Sequence, residues 1–241
     1  MGSFSKLILN AVVLTTAFFL HANSNCKITY IDGLVETISD KDKGSTVETL
    51  DRSSAVQYDD LICTGKGARI ELLLSQSILR IGTTSVLSLK KDNEVFIHSG
   101  SFLFCSTKHT IIKFSSIGSE VTFSGSGTII LETTQNGGFK FIPLEGRGKL
   151  ICNKGSKLDV LGGRMVLVLD RPTRFGDAYD IDLMLMLKTS NLINAYPDPL
   201  ASFGRISLAV YSQELRIKGK YNALIGDAPT NDNLQIWAFE D

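Results

Sequence analysis

Few residues in this chain have the chemistry for catalysis. It has three histidines, and His21 ends an apolar leader, which leaves His98 and His109. A histidine base needs a nucleophile or an acid beside it. His98 sits in EVFIHSGSF, where strand alternation can put it on either face, and His109 sits beside Lys108 in a polar turn, so both read as surface or satisfied histidines. Cys26, Cys63, Cys105 and Cys152 show no CxxC spacing and no HxxxH pair accompanies them, so no metal site is expected. Cys63, Cys105 and Cys152 end the apolar runs DLIC, SFLFC and KLIC, where a thiol packs as a small hydrophobe. In an exported chain the same even count permits two disulfides in any of three connectivities. Both readings stay open. Asp177, Asp180 and Asp182 cluster, but Gly176 precedes them instead of making a calcium-loop turn, and Asp180 is placed to cap a helix. No spacing pairs Glu36, Glu48, Glu71 or Glu132 for glycoside cleavage. Ser124-Gly125-Ser126-Gly127-Thr128 has the look of a phosphate loop, yet it lacks the lysine and leads into IILETT, which reads as a strand. These residues point away from an enzyme and away from any cofactor.

The elements that carry them follow from composition and pattern. The 241 residues suffice for one or two domains with a full core. With 43% hydrophobic and 21% charged residues, most of the chain is neither disordered nor a coiled coil. Lys plus Arg equals Asp plus Glu at 25 each, so no net field draws nucleic acid or an anionic membrane. Lys90, Lys91, Lys154 and Lys157 are scattered and form no basic stripe.

Residues 1–24 have the layout of a secretory signal peptide. Lys6 supplies positive charge, Leu7 to Leu20 is apolar but for Asn10, Thr15 and Thr16, and Ala22-Asn23-Ser24 offers small residues for cleavage near Ser24–Asn25. A lipoprotein signal ending at Cys26 is the alternative, but Asn23, Ser24 and Asn25 lack the usual aliphatic residue. No later segment is apolar and long enough to span a bilayer, so no stable span is expected after cleavage.

Residues 25–170 read as strand after strand, short runs of Ile, Val, Leu, Phe and Thr broken by Gly, Ser, Asn and Asp. Asp32-Gly33 and Asn136-Gly137-Gly138 are hairpin signals. Pro143 favours an edge or turn position. Leu72 and Ile81 fall on the apolar phase and are expected in the core, with Glu71 and Arg80 on the polar phase. Residues 171–241 form a C-terminal extension. RPTRFGDAYD (171–180) reads as a linker, and Asp180 as N-cap of a helix over Ile181 to Ser190. A second helix over 204–215 places Ile206, Ala209, Val210 and Gln213 on one face, and a loop-rich tail follows.

YDDLICTGKGARIELLLSQSILRIG at residues 58–82 resembles the core motif of the FecR domain. Asp60, Thr64, Gly65, Ala68, Glu71, Leu72, Leu79 and Arg80 fit the family pattern. The blocks EVFIHSGSFLF (94–104), GSGTIILETT (125–134) and FKFIPLEGRGKL (139–150) continue it. The resemblance covers 30–170 loosely and 58–150 best. It departs at Tyr58-Asp59, where the family has Gly-Asp, and at Ser75-Gln76-Ser77, which lacks the usual turn glycine.

The resemblance implies a mainly β fold, a β-solenoid-like stack of short strands with a short helical extension, in a bacterial protein outside the cytoplasmic membrane. Regulators of the family carry an anti-sigma segment before a membrane span, and only six residues precede the apolar run here. The expected function is that of a non-enzymatic envelope protein, periplasmic or secreted. It would bind another envelope protein or an unidentified ligand, in envelope signalling. A carbohydrate-binding surface module is one alternative, but Trp237 and the tyrosines are dispersed. A β-solenoid enzyme acting on polysaccharide is another.

Overall fold

A computed structural model gives the fold and describes residues 26–41, 44–91, 93–152, 155–217, 221–225 and 234–238. The leader read at residues 1–24 lies outside them. The chain runs through β1 (Cys26–Asp32), β2 (Val35–Lys41), β3 (Gly44–Thr49), β4 (Leu61–Thr64), β5 (Arg69–Leu74), β6 (Ser77–Ile81), β7 (Val86–Lys90) and β8 (Glu94–Ser99). Three long strands follow, β9 (Ser101–Ser115), β10 (Glu120–Thr133) and β11 (Phe139–Cys152). Then come β12 (Lys157–Leu161), β13 (Arg164–Leu169), β14 (Arg174–Asp180), α1 (Leu183–Thr189), α2 (Asn191–Asn194), α3 (Phe203–Ile217), β15 (Tyr221–Ile225) and β16 (Leu234–Ala238).

One sheet is ordered β14-β13-β11-β10-β9-β8-β7-β4-β2-β3, with β1, β5, β6 and β12 joined off that path. β15 and β16 pair separately. The protein is therefore mainly β with a short helical segment near its C-terminus, as the sequence leads one to expect. A solenoid-like stack is not what these ladders record. Successive coils of a solenoid pair in parallel, whereas here β8 with β9 is the one parallel pairing among the described strands.

Why the sheet curls is written in β9, β10 and β11. Phe102 and Phe114 lie twelve positions apart on β9, about 40 Å along a straight strand. Their ring centroids are 5.8 Å apart, and Phe123 of β10 lies 6.1 Å from Phe141 of β11. The three-stranded ribbon therefore doubles back on itself. The corner is glycine: Gly125 faces Gly148 and Gly127 faces Gly146 across β10–β11. At Gly125 a Cβ would lie 2.3 Å from the Arg147 carbonyl oxygen and 2.7 Å from the Gly148 Cα. The two backbones approach too closely for any side chain. β9 bulges opposite, three residues (107–109) against Ser126. The SGSGT sequence is thus the middle of a strand.

The ribbon is buried on both faces, which explains its continuous apolar runs. Phe102, Phe104, Ile129, Leu131, Phe139 and Phe141 join the core inside the doubled sheet. Leu103, Cys105, Ile130, Ile142 and Leu144 face the helices and pack on Leu183, Met186, Ile206 and Val210. Leu72 and Ile81 are fully buried, as expected from their phase. Pro143 sits opposite Ile129 at a bulge, between the β12 and β13 ladders on the other edge of β11, where its carbonyl accepts the Gly163 N–H at 2.8 Å and its missing N–H costs no ladder bond.

Three local readings are corrected. Asp32-Gly33 turns the chain, with Gly33 at φ +73, but β1 pairs with β5 and β2 with β3 and β4, so no hairpin forms there. The expected linker 171–180 contains β14, which extends the sheet to Asp180. Ile181 still bonds to the Gly163 carbonyl, so α1 starts later and Asp182, not Asp180, caps it, accepting from the Leu185 N–H at 2.8 Å. The second expected helix is α3, with Ile206, Val210 and Gln213 buried on one face.

Candidate functional site

The two ends of the main sheet differ. β14 closes one end and carries Arg174, Asp177 and Asp180, with a register break against β13 between Val166 and Val168. Charge and irregularity of this kind deter further pairing. β3 closes the other end with the sequence GSTVET. Among the described strands it pairs only with β2, in an unbroken register from Glu36 opposite Thr49 to Lys41 opposite Gly44. All six of its residues are exposed, Val47 at 59%. Glu48 is its one charge, and it has no proline, lysine or bulge. β2 stays fixed because Val35, Thr37 and Ser39 point into the protein. Among the described residues the outer edge of β3 is therefore an uncovered row of backbone donors and acceptors, a template for another chain.

The motif residues lie elsewhere and act as structure. Asp60 accepts the Ser39 hydroxyl and ties β2 to the start of β4. The Thr64 hydroxyl donates to the Gly82 carbonyl at 2.6 Å and accepts from the Ser85 N–H at 2.9 Å. Gly65 donates to the Leu34 carbonyl at 2.9 Å, and its own carbonyl takes the Ala68 N–H. Ala68 is buried against Gly33, where a Cβ would come within 2.9 Å of it. Leu72 and Leu79 are core.

Glu71 and Arg80 correct the sequence reading. They were expected on a polar, outward phase, yet Arg80 is fully buried and Glu71 nearly so. That phase faces the C-terminal segment. Arg80 Nε donates to Glu71 Oε2 at 2.7 Å, and its Nη1 reaches the carbonyls of Leu192 and Ile193 at 3.3 and 3.2 Å. Nη2 donates to the Asp198 carbonyl, and the guanidinium lies 4.4 Å from the Tyr196 ring. A second anchor joins the Ser202 and Thr128 hydroxyls to the buried Glu145, which Arg205 also meets at 3.2 Å. Gln213 supplies a third, donating to the Ile181 and Gly163 carbonyls. The opposition of Glu71 and Arg80 across the β5–β6 turn was the one available signal in sequence.

The candidate disulfide cysteines Cys26, Cys63, Cys105 and Cys152 stand as free thiols. Burial pushes the Cys26 thiol up to about 12, and burial with the nearby Glu36 charge raises that of Cys63. Such thiols resist deprotonation and react slowly. His98 is exposed beside Phe96, and partial burial and Lys90 lower its pKa. His109 Nε2 lies 3.3 Å from the Ser124 hydroxyl, and among the described residues no carboxylate holds its other nitrogen. Asp182 caps α1, while Asp180 lies 3.9 Å from Arg164. Among the described residues no three carboxylate, histidine or cysteine groups converge for a metal. No helix among them is long and apolar enough to cross a membrane.

Glu94 links β8 to β9. Burial alone would raise its pKa, but Lys113 at 2.6 Å and the Ser115 hydroxyl hold it below the usual carboxylate range. A lowered folded pKa gives stability that is present above the unfolded pKa and lost as pH falls through the folded one. Both groups keep contact with water, so the contribution is about 0.5–1 kcal/mol. Glu94→Gln should therefore lower the melting point at pH 7, and its deficit should shrink as pH falls through the folded pKa of Glu94. An equal deficit at pH 7 and below that pKa would rule the pair out.

No protein-family model matches the chain, and no curated protein does. Among solved structures it is similar to two crystal structures of a "putative anti-sigma factor" from Parabacteroides distasonis. One shares 10% identity at a TM-score of 0.40, over 50% of this chain and 59% of that one, so the chain spans less than two thirds of it. The other shares 8% identity at a TM-score of 0.41, over 75% of this chain and 99% of that one. At these scores the likeness decides neither fold nor function.

Proposed function

We propose that the chain is a non-enzymatic, exported envelope protein that holds a partner protein by strand addition, in envelope signalling of the kind its FecR-like residues imply. It acts in the periplasm or after secretion, once the leader is removed near Ser24–Asn25. The observation that carries the reading is the β3 edge, exposed along all six residues and free of the devices that block pairing. Backbone bonds along such an edge give affinity, and side chains such as Val47 give selectivity.

The test is capture from a native envelope extract with the mature chain as bait. Val47→Lys places a charge on the edge without disturbing the core, so its stability should stay within about 0.5 kcal/mol of wild type. Recovered partner should fall at least tenfold. Equal recovery by Val47→Lys and wild type would sink the edge as the docking site. Should the purified chain instead degrade a polysaccharide, and alanine at His98, His109 and Asp182 abolish this, the protein is an enzyme.

A further inference from the structure

β10 covers one edge of β9 along its length, so β6 and β8 must share the other. They do not meet. The β6 ladder ends opposite Ser106, and the β8 ladder begins opposite Lys113. Residues 107–112 of β9 therefore face no strand on that side among the described residues. The gap is a cavity of about 290 Å3. Its floor is Leu74, Leu89, Val95, Phe104 and Ile112, and its rim carries Lys90, Lys108 and His109. The rim has a net positive balance. Lys90 is 2.9 Å from Asp59 and Glu94 is held by Lys113, while Lys108 is exposed and has no ionic partner among the described residues.

A backbone edge that no described strand covers, an apolar floor and a free cation ask for three things of one ligand, although the Lys108 carbonyl already takes the Ser106 hydroxyl at 2.9 Å. It must offer backbone donors and acceptors, one apolar side chain and a negative charge. We propose that the gap binds the carboxyl-terminal end of an extended peptide. Its backbone pairs along residues 110–112, beyond the 107–109 bulge, its last apolar side chain sits over Phe104 and Ile112, and its carboxylate meets Lys108. The volume lies at the small end of ligand sites, roughly 300 Å3 and upward, and suits a terminal residue or two. The Cys26 thiol on the same wall stays protonated, so capture is non-covalent. This rests on the binding reading insofar as the ligand is a polypeptide, but it uses an edge other than β3.

The experiment is an NMR titration of the mature chain with N-acetylated tripeptides ending in Leu, Val or Phe with a free carboxylate. The matched carboxamides and octanoate are titrated in parallel. The free acids should give saturable shifts at the amides of residues 110–112. Carboxamides should bind at least tenfold more weakly, and Lys108→Glu should weaken the free acids by a similar factor. Octanoate, which has no peptide groups, should leave those amides unshifted. No saturation by any free acid up to about 10 mM would overturn the proposal. So would carboxamides binding as tightly, or octanoate shifting the same amides. The Val47→Lys protein should bind the free acids normally, so failure here and failure at β3 are told apart.

Discussion

An Arg80→Met protein is expected to be less stable than the wild type by about 3–5 kcal/mol. Arg80 is fully buried, and its removal leaves the buried Glu71 carboxylate with the Thr29 hydroxyl but no cation. It also strips the Leu192, Ile193 and Asp198 carbonyls of a charged donor. For a chain of this length the midpoint of thermal unfolding should fall by about 10 °C. The loss comes from stranding a charge more than from removing an attraction. The double variant Glu71→Gln with Arg80→Met should therefore recover a good part of it. A single-variant loss below about 1 kcal/mol would mean that water reaches the pair.

Gly125→Val should be worse still, with a cost above about 4 kcal/mol or no soluble fold. Both groups that its Cβ would strike, the Arg147 carbonyl and the Gly148 Cα, are backbone of the facing strand. Neither can rotate away, so the ribbon would have to open at its corner. Gly204→Ala is the control. It lies in α3 with nothing within 4 Å of the new methyl, and it should stabilise by about 0.5–1 kcal/mol. Urea unfolding of both variants decides the matter. A Gly125→Val protein with the wild-type midpoint would show that the corner is looser than its distances imply.

What was legible in the sequence was local. The runs SFLFC, TIIL and FKFI read as strands, and Leu72, Leu79 and Ile81 as core, because side-chain phase is set within a few residues. The turn at Asp32-Gly33 was legible too, but the partners of the strands it joins were not. β1 finds β5 some forty residues on, and no local pattern encodes that choice. Gly125 and Gly127 had the look of a phosphate loop, and Gly146 and Gly148 gave no local signal of their own. Only their opposition across β10–β11 shows that they serve close approach. Glu71 was placed outward because alternation separates two faces without saying that both are covered. Of the candidate edge, GSTVET gave a strand's composition but not its place at the end of the sheet, which depends on the order of every other strand.

Arg80 also binds together distant times in the life of the chain. Its three carbonyl partners lie 112, 113 and 118 residues further along. A polypeptide that emerges amino end first must leave Glu71 and Arg80 hydrated until that later stretch arrives. Contacts of such long sequence separation form late and slowly. One guanidinium thus ties the closing of this seam to the arrival of residues 192–198. A product cut short before residue 192 would keep Glu71 and Arg80 wet, whereas a chain that carries residues 192–198 buries both.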